Sequence, residues 1–234
     1  MNYMDMTSLM ETLDDIAKSG KHNLLEFPQK LDGESPSEQR YDKTYVSTRS
    51  MAREYERIGT TQVGSSDVEF WLQKNGKASV RGTINGTNSL TGEEGYLLVF
   101  LVMFKIGSMN SKNLTKYVNE WKLKQVHYVQ TSREFRGTGI AAYVYSLMVK
   151  LGYVVVSDKQ QFEAGIQLWK KMARVAGLSD YVVNILDVSD SKLGFVMGDA
   201  GNPLEYDSND IDDAKIWSSD EAAKNILLVM RQRT

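Results

Sequence analysis

Arg136-Gly-Thr-Gly-Ile-Ala141 stands at the entrance to a helix whose apolar positions are Ile140, Val144, Leu147 and Met148. The first amides of a helix lack intrahelical partners and point outward at the positive end of its dipole, an arrangement that binds phosphate. Gly137 and Gly139 let the backbone approach an anion with no Cβ in the way, and Arg133 or Arg136 adds a charge-assisted contact. The ligand class this implies is a pyrophosphate-bearing cofactor, held by Arg136, Gly137, Thr138, Gly139, Ile140 and Ala141.

Two cofactor classes compete for such a segment. Gly137-x-Gly139-x-x-Ala142 fits the relaxed dinucleotide fingerprint, and Asp158 follows about 20 residues on, where an acid would meet a ribose hydroxyl. In that fold, however, the first glycine makes the tight turn directly after the strand. Here the polar stretch Thr131 to Arg136 intervenes between the apolar strand and Gly137, which argues against a nicotinamide enzyme.

The same segment resembles the GNAT (Gcn5-related N-acetyltransferase) superfamily, whose signature is Arg or Gln, two residues, Gly, one residue, then Gly or Ala. Arg136-x-x-Gly139-x-Ala141 satisfies it. Val129 to Ala141 is similar to that family's strand, loop and pyrophosphate-binding helix start. Gly152 to Asp158 is similar to its next strand, which splays from its neighbour to admit the pantetheine arm, and Gly165 to Met172 to its following helix. The resemblance is specific over roughly 123 to 172.

It implies acetyl-CoA (CoA) as cofactor, with Val129 and Thr131 joining the residues named above, and transfer of the acetyl group to a primary amine on a protein, small molecule or modified nucleobase. It also implies that backbone N–H groups of strand 126–131 polarise the thioester carbonyl, as preorganised oxyanion donors do. His127, the one histidine on a strand, could serve as base or proton relay for the amine, or be an ordinary hydrogen-bonded strand histidine. By period-2 alternation it shares a face with Leu123, Gln125 and Val129. Ser157 and Asp158 close a parallel strand, where open α/β sheets place ligands. Asp158 could orient the ammonium or act as base, or cap the helix that follows. Trp169 and Phe162 stand where many family members carry a tyrosine acid and an asparagine. That departure motivates the alternative of a binding or inhibitory module with little or no turnover.

Composition narrows the remaining classes. With no cysteine and two histidines, a thiol nucleophile and almost any zinc site are ruled out, so no metal is expected. A formal net charge of -2 gives no global field for nucleic acid or an acidic membrane. The polar start Met1 to Met6 lacks a signal-peptide pattern, which leads to the expectation of a cytoplasmic protein. The most apolar run, Tyr96 to Phe104, is far short of the ~20 residues of a spanning helix and reads as a strand buried on both faces.

The elements that must position the segment follow from periodicity. Leu9, Met10, Leu13, Ile16 and Ala17 mark an N-terminal amphipathic helix, and residues 28–43 read as a linker. The helix could pack on its own domain, pair two copies as a homodimer, or bind a partner. A second helix with Met51, Tyr55 and Ile58 is capped by Ser47 or Thr48 and closed by Gly59. Val68, Phe70 and Leu72, then Ala78 and Val80, make a hairpin about an Asn75-Gly76 two-residue turn. Strands near 123–130, 153–157 and 181–187 alternate with helices at 138–151 and 161–175, a last strand covers Ile226 to Met230, and Asp207 to Asp213 reads as a solvated acidic loop. The expected fold is α/β (α+β): a GNAT-type mixed, mostly antiparallel sheet flanked by helices. Residues 1–40 form an N-terminal extension and 41–234 an acyl-CoA-binding domain.

Overall fold

Alternating apolar residues in the middle of the chain build a meander, and the two helical repeats after it cover one of its faces. The computed structural model describes residues 44–105, 122–158, 160–176, 178–189, 194–207, 211, 216–217 and 225–233, with the strand backbone at 29–30. The expected N-terminal helix, most of the linker, and Asp210, Asp212 and Asp213 lie outside the described residues.

The strands are β1 (Gln29–Lys30), β2 (Thr44–Ser47), β3 (Tyr55–Val63), β4 (Ser66–Gln73), β5 (Ser79–Thr87) and β6 (Glu94–Lys105), followed by β7 (Leu123–Thr131), β8 (Val154–Val156), β9 (Gln160–Gln161), β10 (Tyr181–Asp187), β11 (Gly194–Phe195) and β12 (Ile226–Gln232). The helices are α1 (Thr48–Glu54), α2 (Ile140–Lys150) and α3 (Glu163–Ala176). Ten strands form one sheet in the order β11-β10-β12-β8-β7-β6-β5-β4-β3, with β2 paired to β6. Every ladder in it is antiparallel except β7–β8. The fold is therefore mixed α+β with a large, mostly antiparallel sheet.

β7-α2-β8 and β8-α3-β10 step across the sheet in the same direction, with β12 inserted between β8 and β10. Right-handed crossovers in one direction put both helices on one face. Accordingly, Ile140, Val144 and Met148 of α2 and Trp169 and Met172 of α3 share a core with Phe70, Val102, Val126, Val155 and Met230. Each such buried side chain contributes roughly 1.5–3 kcal/mol relative to exposure. Val154, Val156, Leu186, Leu227 and Val229 form a separate buried cluster on the other face.

Two local expectations are corrected. Ser47 does cap α1, its side chain accepting the Ser50 N–H at 3.2 Å, but the helix ends at Glu54 and Tyr55 is already extended. Tyr55 and Ile58 belong to β3, which pairs with β4 through the Gly64-Ser65 turn, Gly64 having φ +61°. The long-range ladder outweighs a weak helical pattern in a charged segment. The β4–β5 connection is also longer than a two-residue turn. Leu72 pairs with Val80, leaving Lys74 to Ala78 between the strands, with positive φ at Gly76 and at Lys77.

Candidate functional site

The parallel pair β7–β8 is short. Leu123, Lys124 and Gln125 pair with Val154, Val155 and Val156, after which β8 ends while β7 runs on to Thr131. Among the described residues no strand pairs with this distal half of β7 on the β8 side. Its burial changes at the same point, from fully buried over Leu123 to Val126 to half-buried over His127 to Thr131. A cleft of about 780 Å³ opens there, walled by distal β7, the start of α2 and the first half of α3.

β7 does not keep strict alternation along this wall. Phe104 pairs with Val126 but Met103 with Tyr128, so His127 is an extra residue in a β-bulge. A bulge inverts which face the following residues occupy. Val129 therefore pairs with Val102 and packs toward the helix-side core, where Val126 also lies, and does not share the face of Leu123 and Gln125 as alternation predicts. His127 stays at the cleft, at the point where the strand bends.

The connection from β7 to α2 is pinned at several places. Ser132 N–H donates to the Val99 carbonyl at 2.9 Å, and Phe135 is buried. Arg136 Nε donates to the Thr131 carbonyl at 3.3 Å, and the Thr138 hydroxyl to the Phe135 carbonyl at 2.6 Å. Gly137 and Gly139 then take φ +72° and +88°, left-handed values that disfavour any side chain. Gly139 is the N-cap of α2, and the first intrahelical bond runs from Tyr143 N–H to its carbonyl at 3.0 Å. The amides of Ile140, Ala141 and Ala142 precede that bond and carry no intrahelical partner, no acidic residue sits in the first turn, and all three residues line the cleft. This end favours an anion.

Of the residues selected by sequence, His127, Val129, Thr131, Arg136, Gly137, Gly139, Ile140, Ala141 and Asp158 all line this one cleft. Thr138 does not, since its hydroxyl is spent on the loop. Ser157 lies outside as well. It is 1 % exposed, its N–H donates to the Leu228 carbonyl at 2.8 Å and its hydroxyl accepts the Leu228 N–H at 3.0 Å, so it ties β8 to β12. Asp158 does not cap α3, which begins five residues later at Glu163. It faces the cleft instead.

Three titratable cleft residues, Lys171, Tyr145 and Tyr128, were not selected from sequence. Lys171 reaches over from α3 so that its Nζ lies 3.7 Å from where a Cβ on Gly139 would stand, adding a cation at the α2 start. The pair Lys170-Lys171 was visible, but which lysine faces α2 depends on helix packing. Tyr145 lines the cleft while only 2 % exposed, with its ring 5.8 Å from that of Trp169. Burial raises its pKa, and the Asp158 carboxylate raises it further. Tyr128 is raised by burial alone. No group of three or more His, Cys, Asp or Glu able to hold a metal ion occurs among the described residues, and no described helix is long and apolar enough to cross a membrane.

Comparison with protein-family models, curated proteins and solved structures finds no match to this chain. What the cleft can do chemically is therefore argued from its own residues. It offers an anion-binding helix start with two cations at one end, strand amides along one wall, and a histidine, a carboxylate and a buried phenol elsewhere in its lining.

Proposed function

We propose that the cleft binds an acyl-CoA thioester, acetyl-CoA first among them, and that the protein is a GNAT-type N-acyltransferase acting on a primary amine. The observation that carries this reading is the parting of β7 from β8 beside the glycine-led start of α2. One opening thus joins a diphosphate site to a slot lined by strand amides. The residues fit the cofactor: Gly137 and Gly139 present no Cβ, and Arg136 and Lys171 supply positive charge. The dinucleotide alternative is disfavoured because the other neighbours of β7 and β8, namely β6 and β12, run antiparallel to them. The ten-stranded sheet is larger than is typical of the GNAT superfamily, so the reading rests on the cleft and not on the size of the sheet.

When bound, acetyl-CoA supplies an activated acyl group. The start of α2 holds its diphosphate, and distal β7 directs amide donors at the carbonyl. Asp158 and His127 are the cleft groups able to take the amine proton, a contribution of about 10² to 10⁴ in rate for a positioned base. The alternative of a binding module with little turnover is favoured by one observation: Ser157, assigned chemistry from sequence, is committed to β12.

Thermal unfolding with CoA or acetyl-CoA tests the reading. A ligand at 100 times its Kd adds about 2.7 kcal/mol, a rise in Tm of roughly 5–11 °C for a chain of this size. A folded protein that shifts with neither compound overturns it. Mass spectrometry of proteins, nucleic acid and metabolites after expression then identifies the amine. Binding without any acetylated product supports the non-catalytic reading.

A further inference from the structure

The chain contains two Asn-Gly pairs, Asn75-Gly76 and Asn85-Gly86, and both asparagines are exposed. Such a pair can react with itself. With no side chain on glycine in the way, the glycine nitrogen reaches the preceding side-chain carbonyl carbon once the asparagine backbone turns out of the extended conformation. What separates the two pairs is the backbone. Asn85 pairs with Tyr96 and Gly86 with Gly95 in the β5–β6 ladder, and the Leu97 side chain leaves no room for a Cβ on Gly86, so this pair is held extended. Asn75-Gly76 is at the tip of the β4–β5 connection. That loop is pinned on either side of the tip, where Lys74 N–H donates to the Glu54 carbonyl at 2.8 Å and Phe104 N–H to the Ala78 carbonyl at 2.7 Å. Between the pins Gly76 and Lys77 take φ +70° and +52°, and no described residue accepts the Gly76 N–H. The Gly76 carbonyl does have a partner: it accepts from Lys124 Nζ at 3.1 Å, and Lys124 is only 3 % exposed.

We propose that Asn75 is a site of spontaneous deamidation, and that the loop seating Lys124 is where this protein is covalently altered with age. The Gly76 nitrogen gives up its proton to water or hydroxide and bonds to the Asn75 side-chain carbonyl carbon, and the side-chain nitrogen leaves with a proton as ammonia. A cyclic imide remains. Water then opens it at one of its two carbonyls, so the sum is amide plus water giving carboxylate plus ammonium. Breaking the bond from nitrogen to the former side-chain carbon restores the normal main chain and leaves aspartate at position 75. Breaking the other bond leaves the chain running through the side chain, an isoaspartyl link one carbon longer. Both products place a carboxylate in a loop that carries Lys74 and Lys77 and seats Lys124, where Glu56 already pairs with Lys77. Only the longer link displaces the next carbonyl, that of Gly76, from the Lys124 amine seated on it.

The test uses the full-length protein, held in mildly alkaline buffer and sampled over weeks. Cleavage after glutamate puts both asparagines in one peptide, residues 70–93, and fragmentation mass spectrometry locates the replacement of amide nitrogen by oxygen. Asn75 is expected to react at least about tenfold faster than Asn85, whose ladder must first give up a pair of net hydrogen bonds. Because both sites are read in one wild-type peptide, this comparison does not depend on any variant folding. Asn75→Gln should abolish the change at 75 and leave that at Asn85 as it was. The isoaspartyl fraction, separated chromatographically, should unfold roughly 3–12 °C below fresh protein, the effect of losing one hydrogen bond to a charged group. Asn75→Asp keeps the normal main chain and should unfold within about 2 °C of wild type. Equal rates at the two asparagines, or faster reaction at Asn85, overturn the site. An isoaspartyl fraction as stable as fresh protein overturns the link to Lys124, as does an Asn75→Asp that unfolds as low as the isoaspartyl form.

Discussion

Replacing Gly139 by alanine separates the two reasons for a glycine at the start of α2. Its φ of +88° costs a residue with a Cβ about 1–2 kcal/mol. Space is not the obstacle, since the nearest atom to the added carbon is Lys171 Nζ at 3.7 Å, an ordinary contact. The unliganded variant should therefore lose only the strain energy, a fall in Tm of roughly 2–8 °C for a chain of this length. With ligand the effect is larger, because the new carbon stands among the amides that would hold the diphosphate. Losing one charge-assisted hydrogen bond, about 1.5–3 kcal/mol, weakens CoA binding roughly tenfold to a hundredfold. Gly64→Ala is the control. That glycine has φ +61° and nothing within 4 Å, so it carries the strain without touching the cleft. Calorimetry of unfolding and isothermal titration with CoA measure both quantities. Equal affinity in wild type and Gly139→Ala, or equal losses of affinity in the two variants, would refute an anion site at this helix start.

Two other substitutions probe residues on the flanks of the cleft. Ser157→Ala leaves the Leu228 N–H without its buried acceptor and should destabilise the protein by about 1–3 kcal/mol in denaturant unfolding, with CoA affinity unchanged. A Kd shifted severalfold would return Ser157 to the site. Lys124 is buried at the base of β7, where burial and then Lys77 lower its pKa to about 8, though its Nζ donates to the Gly76 carbonyl at 3.1 Å. The unfolded chain binds this proton up to about pH 10.4, so stability rises with pH between about 8 and 10.4 and the penalty is fully present below 8. The rise is at most about 3 kcal/mol, and Lys124→Met should lack it relative to wild type. Parallel stability curves for the two proteins across that window would refute the assignment.

How much of this site the sequence could disclose follows from how local each determinant is. The turn from β7 into α2 was legible because its chemistry is contained in six consecutive residues: two glycines at positive φ and the exposed amides that follow them. The strands and helices from 123 to 187 were legible because each buries a face with its own period. The helix wrongly extended through Ile58 was not, because β3 exists by virtue of its ladder to β4. The Gly64-Ser65 turn and the β-branched run Thr60, Thr61 and Val63 were the signals that could have exposed it.

His127 shows the deeper limit. Its residue type and its strand could be read, yet the face occupied by everything after it could not, since alternation assumes an unbroken ladder. The extra residue is defined only by the partner strand, where Met103 and Phe104 are adjacent while Tyr128 and Val126 are not. That one residue turns Val129 toward α2 and coincides with the point where β7 leaves β8. Bulge and splay act together: the first bends the strand and the second removes its neighbour, and an aligned pair of strands becomes the wall of a cleft. The same non-locality explains Ser157, whose hydroxyl is engaged by Leu228, 71 residues away, and Lys171, whose reach to Gly139 exists only because α3 lies beside α2. The local motif describes the anion end of the site, whereas the groups that could act on a thioester are brought to it by pairings that no local pattern encodes.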